Sequence, residues 1–285
     1  MEFTTLISPS ELMGHLQDEN WAILDTRFTL GDPERGQMDY YRAHIPHAIY
    51  VHPEKDMSGP IIPGKTGRHP LLPLEDTTNL FSRLGIDQDV QVVIYDDWNA
   101  AAGAVAARLW WMLRWLGHTR VAVLDGGWNA WLAHNYPTTP EITTRQPRQF
   151  TPQLHLEIYA SMADTKAALL YPSWQVVDSR TADRYRGENE TIDPIAGRIP
   201  GALNLPYLEN CLPDGRFKPK EEIRSQFKRV LGDTPASKTI FYCGSGLTSA
   251  LNVLAMVYAG LGNARLYVGS WSEWITDPNN PIDRG

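Results

Sequence analysis

The chain of 285 residues is short of cysteine, holding only Cys211 and Cys243. That count excludes a disulfide scaffold and nearly excludes a cysteine zinc site. Long apolar runs are missing too. The most apolar stretch, Ala100 to Leu113, is broken by Arg108 and falls short of the roughly 20 residues a membrane span needs. The first residues, MEFTTLISPS, lack the basic start and apolar core of a secretion signal. Basic charge is scarce as well: 33 acidic against 26 basic residues leave a net charge of −7, the wrong sign for a general nucleic-acid binder. These absences predict a cytoplasmic protein with reduced thiols, and neither nucleic acid nor membrane as a partner.

What is present is an ordinary globular balance, 42% hydrophobic and 21% charged, which argues against disorder. At roughly 150 residues per domain the length suits about two domains. The second half of the chain repeats landmarks of the first, in the same order. WAILDTR (Trp21–Arg27) returns as WQVVDSR (Trp174–Arg180), and AHIPHA (Ala43–Ala48) as GRIPGA (Gly197–Ala202). VVIYD (Val92–Asp96) returns as TIFYC (Thr239–Cys243), and GGWNAW (Gly126–Trp131) as GSWSEW (Gly269–Trp274). All four offsets lie between 143 and 154 residues, so the chain reads as a tandem duplication. A Pro- and Thr-rich stretch from Pro137 to Pro152 reads as a linker. We draw the boundary near residue 145, giving domains 1–145 and 146–285.

Each half alternates short apolar runs with amphipathic segments. Ser8–Glu11 fits a capping box with Pro9 at the first helical position, and Ser161–Asp164 is the matching start. Leu80 and Leu84 lie four apart and end at Gly85. Ile223, Phe227, Val230 and Leu231 are spaced as one helical face ending at Gly232, and Leu247, Leu251, Leu254 and Tyr258 as another ending at Gly260. Such alternation predicts an α/β fold in which each domain is a mainly parallel sheet flanked by helices. Reactive groups in such sheets lie beyond the carboxyl ends of the strands, and Cys243 falls at such a place.

The run from Ile240 to Ala250 joins a strand to Cys243, a Gly-x-Gly turn (Gly244, Ser245, Gly246) and a helix predicted to start at about Thr248. Two glycines permit tight curvature, so that several N–H groups can face one atom. The helix N-terminus adds positive potential. A thiolate there would be stabilised, the condition for a nucleophilic cysteine. At the equivalent point the first half has Asp96, followed by Asp97, Trp98 and Asn99, and so cannot act as a sulfur nucleophile. Cys211, with no glycine loop behind it, reads as a bystander.

The duplicated halves, the cysteine loop and GSWSEW resemble the two-domain rhodanese-type sulfurtransferases. Within them, Cys243–Thr248 (CGSGLT) resembles the loop of the 3-mercaptopyruvate enzymes. The resemblance covers essentially the whole chain and implies two tandem rhodanese-like domains, the first inactive. It implies that Cys243 takes a sulfur atom from 3-mercaptopyruvate or thiosulfate, holds it as a persulfide within the loop Gly244, Ser245, Gly246, Leu247, Thr248 and Ser249, and passes it to a thiol or cyanide. A thioredoxin-like reductant is a further partner on this reading, and neither metal nor cofactor is called for.

The resemblance also nominates substrate contacts. Thiosulfate-preferring relatives carry basic residues directly after the cysteine; the neutral Gly244 and Ser245 favour a monoanionic α-keto acid, and Ser245 matches a loop serine near the leaving group. Arg184 aligns with the arginine that binds the anionic donor, and a guanidinium can pair both oxygens of a carboxylate. Arg186 is a second candidate. The second substrate arginine of the mercaptopyruvate enzymes is absent from the stretch Glu190–Pro194, and Arg198 is a candidate replacement. His69, in TGRHPL (Thr66–Leu71), resembles the histidine that relatives bring to the interdomain cleft, where an imidazole could transfer protons near the leaving group. Trp271 and Trp274 are expected to wall or support the cleft, Arg180 to be structural, and Trp110, Trp111 and Trp115 to be core.

Two other classes compete. A rhodanese-like module could bind without catalysis, as the loss of cysteine from the first half illustrates. A cysteine phosphatase would need Cys-x5-Arg, whose arginine clamps a tetrahedral dianion, but that position is Ser249. The sequon at Asn189–Thr191 carries no weight in a cytoplasmic chain.

Overall fold

The computed structural model describes residues 2–99 and 102–285; Ala100 and Ala101, which open the apolar stretch noted above, lie outside them. Two compact units emerge. The first comprises Met1–Gly59, Leu72–His155 and Cys211–Phe217, and the second Pro60–Leu71, Leu156–Asn210 and Lys218–Gly285.

The first unit carries β1 (Leu6–Ile7), β2 (Trp21–Asp25), β3 (Ala48–Tyr50), β4 (Gln91–Tyr95) and β5 (Val121–Leu124). They pair in the order β1-β5-β4-β2-β3, parallel throughout. Its helices are α1 (Pro9–Gly14), α2 (Arg35–Arg42), α3 (Leu74–Arg83), α4 (Ala104–Trp115) and α5 (Gly127–Ala133). The second unit repeats the permutation with β6 (Tyr159–Ala160), β7 (Gln175–Asp178), β8 (Leu203–Asn204), β9 (Thr239–Tyr242) and β10 (Arg265–Tyr267). Their order is β6-β10-β9-β7-β8, again parallel, with helices α6 (Met162–Ala168), α7 (Ala182–Arg186), α8 (Lys220–Leu231), α9 (Ser249–Tyr258) and α10 (Ser270–Trp274).

The local signals operate as physical chemistry requires. Ser8 and Ser161 both close capping boxes, with Glu11 and Asp164 returning hydrogen bonds to the cap N–H groups. Both faces of a parallel sheet are covered, so β4 and β9 are apolar without alternation. The helices that follow them are correspondingly buried: α4 along almost its whole length, with Trp110, Trp111 and Trp115 in the core, and α9 from Ser249 to Met256. No helix among the described residues is long and apolar enough to cross a membrane.

The repeated Asp-x-Arg landmark forms the same buried cassette twice. In the second unit Arg180 Nη2 pairs with Asp178 at 2.6 Å and donates to the Gly197 carbonyl, and its guanidinium lies 5.0 Å from the Trp271 ring centre. The Ile199 N–H donates to the Tyr242 hydroxyl. In the first unit Arg27, Asp25, Ala43, Trp128, Tyr95 and Ile45 play the same parts. Removing one partner of such a buried pair leaves an uncompensated charge, so the cassette ties strand end, loop and tryptophan together.

The units divide at His155–Leu156, not near residue 145. The expected linker is bonded into the first unit: Phe150 meets Phe81 edge-on at 5.1 Å, and the N–H groups of Gln153 and His155 donate to the carbonyls of Leu116 and Trp115. Contiguous domains 1–145 and 146–285 also differ from the units in two exchanged segments, 60–71 and 211–217. In each sheet the order reverses between adjacent strands, β2 and β4 in one and β7 and β9 in the other. The crevice at that switch point is where α/β sheets bind ligands.

Candidate active site

Cys243 follows β9 directly, at the switch point of the second sheet, and is 2% exposed. Its chain reverses through Gly246, whose φ of +79° lies in the left-handed region that glycine enters without strain. That turn aims the Gly246 N–H at Cys243 Sγ, at 3.1 Å, while the Ser249 hydroxyl donates from the first turn of α9 at 3.4 Å. Burial pushes the thiol pKa up. The hydroxyls of Ser249 and Thr248 and the N–H groups of Ser249 and Ser245 more than offset it, so the thiol is held below its ordinary value.

The loop is held from behind by the repeated tryptophan segment. The N–H groups of Trp271 and Ser272 donate to the carbonyls of Cys243 and Gly244, and the Ser270 hydroxyl accepts the Cys243 N–H at 3.1 Å. Ser270 does this at a φ of +55°, a conformation that costs a non-glycine residue about 1 kcal/mol or more. Trp271 is therefore not a substrate contact. It is completely buried, its indole N–H bonded to the Ile195 carbonyl and its ring against Arg180. Trp274 is buried too, with its indole N–H on the Pro281 carbonyl.

The structure sorts the nominated polar residues. His69 lies in segment 60–71 of the second unit, and its Nδ1 is 2.7 Å from the Ser245 hydroxyl. Arg184 is beside the loop, bonded through Nε and Nη2 to Glu190 and through Nη2 to Asp193 at 3.2 Å. Arg186, two positions on, points away on α7 because successive helical residues are about 100° apart; it pairs with Glu188 in solvent. Arg198 is committed elsewhere: it pairs with Asp283 at 2.6 Å, donates to the Gly285 carbonyl, and covers the Tyr185 ring. Neither belongs with Cys243. Arg180 is structural, as its place after a strand predicts.

One residue beside the loop carries no signal in the sequence. Arg68, adjacent to His69, pairs with Asp193 at 2.9 Å, and its N–H donates to the Ser272 hydroxyl. It lies so close to the loop that a Cβ on Gly244 would be 2.7 Å from its Nη2 and 3.4 Å from Nη2 of Arg184. The dipeptide Arg68–His69 was visible, but its partners stand more than a hundred residues away in sequence.

The first unit shows the same architecture without the thiol. Asp96 follows β4 and its carboxylate accepts the N–H groups of Gly103, Val105 and Ala106 at 2.9–3.1 Å. The Trp128 N–H donates to its carbonyl, as that of Trp271 does to Cys243. Burial raises the Asp96 carboxyl pKa to about 7, against those three donors. The nest is filled by the protein's own acid. Cys211, also buried, belongs to a segment of this unit.

The rhodanese-like domain family matches the chain twice, over residues 8–134 and 158–277. A Pseudomonas aeruginosa protein named probable 3-mercaptopyruvate sulfurtransferase is 40% identical over 286 residues, covering 100% of both chains. A putative thiosulfate sulfurtransferase, SseB, from Mycobacterium tuberculosis is 36% identical, covering 98% of this chain and 97% of its own. The crystal structure of SseA from Escherichia coli, described as a 3-mercaptopyruvate sulfotransferase with the rhodanese fold, matches with a TM-score of 0.80. Its identity is 29%, over 95% of this chain and 100% of that one.

Proposed function

This chain is a sulfurtransferase of the rhodanese-like family, and we propose that it carries sulfur on Cys243 from 3-mercaptopyruvate to a thiol or cyanide. The observation that carries this reading is the Cys243 nest: a buried sulfur at a strand end, met by the Gly246 N–H and the Ser249 hydroxyl, with its pKa held down. The full-length similarity to sulfurtransferases supports it.

In the first half-reaction the Cys243 thiolate attacks the donor sulfur. An S–S bond forms, the carbon–sulfur bond breaks, and its electron pair leaves as the enolate of pyruvate, which takes up a proton to become pyruvate. The His69–Ser245 pair is the local route for that proton. With thiosulfate the bond broken is S–S and the leaving group is sulfite. The loop donors then hold the persulfide. In the second half-reaction cyanide or a thiolate attacks the outer sulfur, and the Cys243 thiolate leaves. A thioredoxin-like dithiol would take the sulfur as its own persulfide and release hydrogen sulfide on closing to a disulfide. This cycle needs a free thiol, which fits a reducing compartment such as the cytoplasm. Arg184 fixes the donor's acid group, and the first half serves as scaffold.

A phosphatase would require an arginine within the loop, where Gly244–Ser249 has none. Intact-mass measurement after incubation with 3-mercaptopyruvate tests the proposal. One added sulfur atom on Cys243, lost on cyanide treatment and absent from Cys243→Ser, is the expected result. Absence of that adduct would leave a non-catalytic binding module, and full turnover by Cys243→Ser would sink the mechanism. Parallel rates with thiosulfate rank the donors.

A further inference from the structure

We propose that Asn252 is a positioning residue for Cys243: it sets the rotation of α9 and so aims the Ser249 hydroxyl at the sulfur. This rests on Cys243 as the reactive thiol. Helix α9 is buried on every side from Ser249 to Met256, and apolar there apart from Ser249 and Asn252. A helix with no polar face has no solvent side to orient it, and apolar contacts are not directional. Its N-terminus carries no side-chain cap either, in contrast to the capping boxes of α1 and α6. Rotation nevertheless matters. Side-chain tips stand about 5 Å from a helix axis, so a turn of about 10° moves one by about 0.9 Å. The Ser249 bond to Sγ is already 3.4 Å long, and such a displacement would break it.

Asn252 supplies the direction that packing cannot. It lies three positions after Ser249, on the same face of α9, and is fully buried. Its Nδ2 donates to the Ser179 hydroxyl at 2.8 Å and to the Leu205 carbonyl at 2.9 Å, and its Oδ1 accepts from Nδ2 of Asn210. Asn210 is held in turn by the Tyr207 carbonyl and by Gln226 of α8. Ser179 and Leu205 directly follow β7 and β8, so the amide ties the helix to the sheet. The Ser179 N–H also donates to the carbonyl of Tyr242, the residue before Cys243. Both ends of the Ser249–Cys243 bond are therefore fixed against Ser179.

The duplicated unit shows why one copy needs an amide and the other does not. The first turn of α4, Ala104 to Ala107, has no polar side chain. There the Asp96 carboxylate itself accepts the N–H groups of Val105 and Ala106 and anchors the helix. A cysteine that must keep its sulfur free for a donor cannot serve as that anchor. The second unit instead holds its helix from the ends of β7 and β8.

The test is the pH dependence of Cys243 labelling by a small aromatic disulfide, read by peptide mass, with urea unfolding of each protein alongside. Wild type, Asn252→Leu, Ser249→Ala and the double variant are compared. The charged and titratable groups around the loop stay the same in all four: Arg68, Arg184, Asp193 and His69 beside it, and Asp178, Arg180, Tyr242 and Glu273 behind it. Asn252→Leu should raise the Cys243 titration by up to about one pH unit, the shift expected for losing the Ser249 bond. Added to Ser249→Ala, it should raise it no further, because the two residues act as one. A less stable Asn252→Leu protein that titrates as wild type, or a second shift on top of Ser249→Ala, overturns the positioning role. Ser179→Ala removes only one bond of the amide and carries the test if Asn252→Leu does not fold. Its curve should move the same way by less, and an unmoved curve overturns the proposal. Persulfide formation by the wild type is scored separately: its absence would overturn the proposed sulfur carriage and leave the aim of Ser249 standing.

Discussion

Ser249→Ala isolates the electrostatics of the cysteine nest. The substitution removes one hydroxyl, 3.4 Å from Cys243 Sγ on a fully buried residue, and leaves the loop backbone and its glycines untouched. Among the groups that hold the thiol pKa down against burial, the Ser249 hydroxyl comes first. A hydrogen bond to a charged acceptor is worth about 1.5–3 kcal/mol, and a long bond to sulfur belongs at or below the lower end. At about 1.4 kcal/mol per unit, the thiol should titrate about one pH unit higher in the variant. On the acid limb the thiolate fraction then falls about tenfold. Intrinsic nucleophilicity rises with pKa at a Brønsted slope of about 0.4–0.5, returning roughly threefold. The net expectation is a two-sided change: about threefold slower reaction on the acid limb and about threefold faster on the alkaline plateau. The assay is the rate of reaction with a small aromatic disulfide against pH, in a Cys211→Ser background so that one thiol is counted. Curves that superimpose, or that shift to lower pH, would refute the assignment of Ser249 as a thiolate donor.

Two further outcomes follow from the same geometry. Ser270→Ala keeps the unfavourable φ of +55° and orphans the buried Cys243 N–H, costing about 1–3 kcal/mol in urea unfolding. Ser270→Gly relieves the backbone and should be the milder change; the reverse order would reject the strained-support reading. Asp96 supplies a pH signature of the first unit. Its folded pKa is raised from 3.8 to about 7, so between those values the folded state keeps a proton that the unfolded chain has released. Stability from this group is therefore lost as pH climbs through that window. The unfolding free energy of the wild type relative to Asp96→Asn should decline across the window and level off above it. A difference that stays flat or rises contradicts the burial argument.

Sequence alone determined what is local and repeated. A strand, Cys243, Gly-x-Gly and a helix start occupy one contiguous stretch, and each of the four duplicated landmarks is a few residues long. Their physics acts between near neighbours, through capping, turn conformation and apolar periodicity, so strand–helix alternation and the position of the thiol were readable in advance. Tertiary structure decided the rest. Arg184, Arg186 and Arg198 look alike as letters, and only the helical rotation of α7 and the path of the C-terminal tail separate the one beside Gly244 from the two paired elsewhere. A tryptophan that walls a cleft and one that seals a core have the same pattern, and it was packing over Arg180 that buried Trp271. Segment 60–71 joins the second unit through contacts that no local pattern announces. Its Arg68 meets Asp193 across 125 positions, an encounter fixed by chain topology and charge pairing and by nothing in the residues on either side.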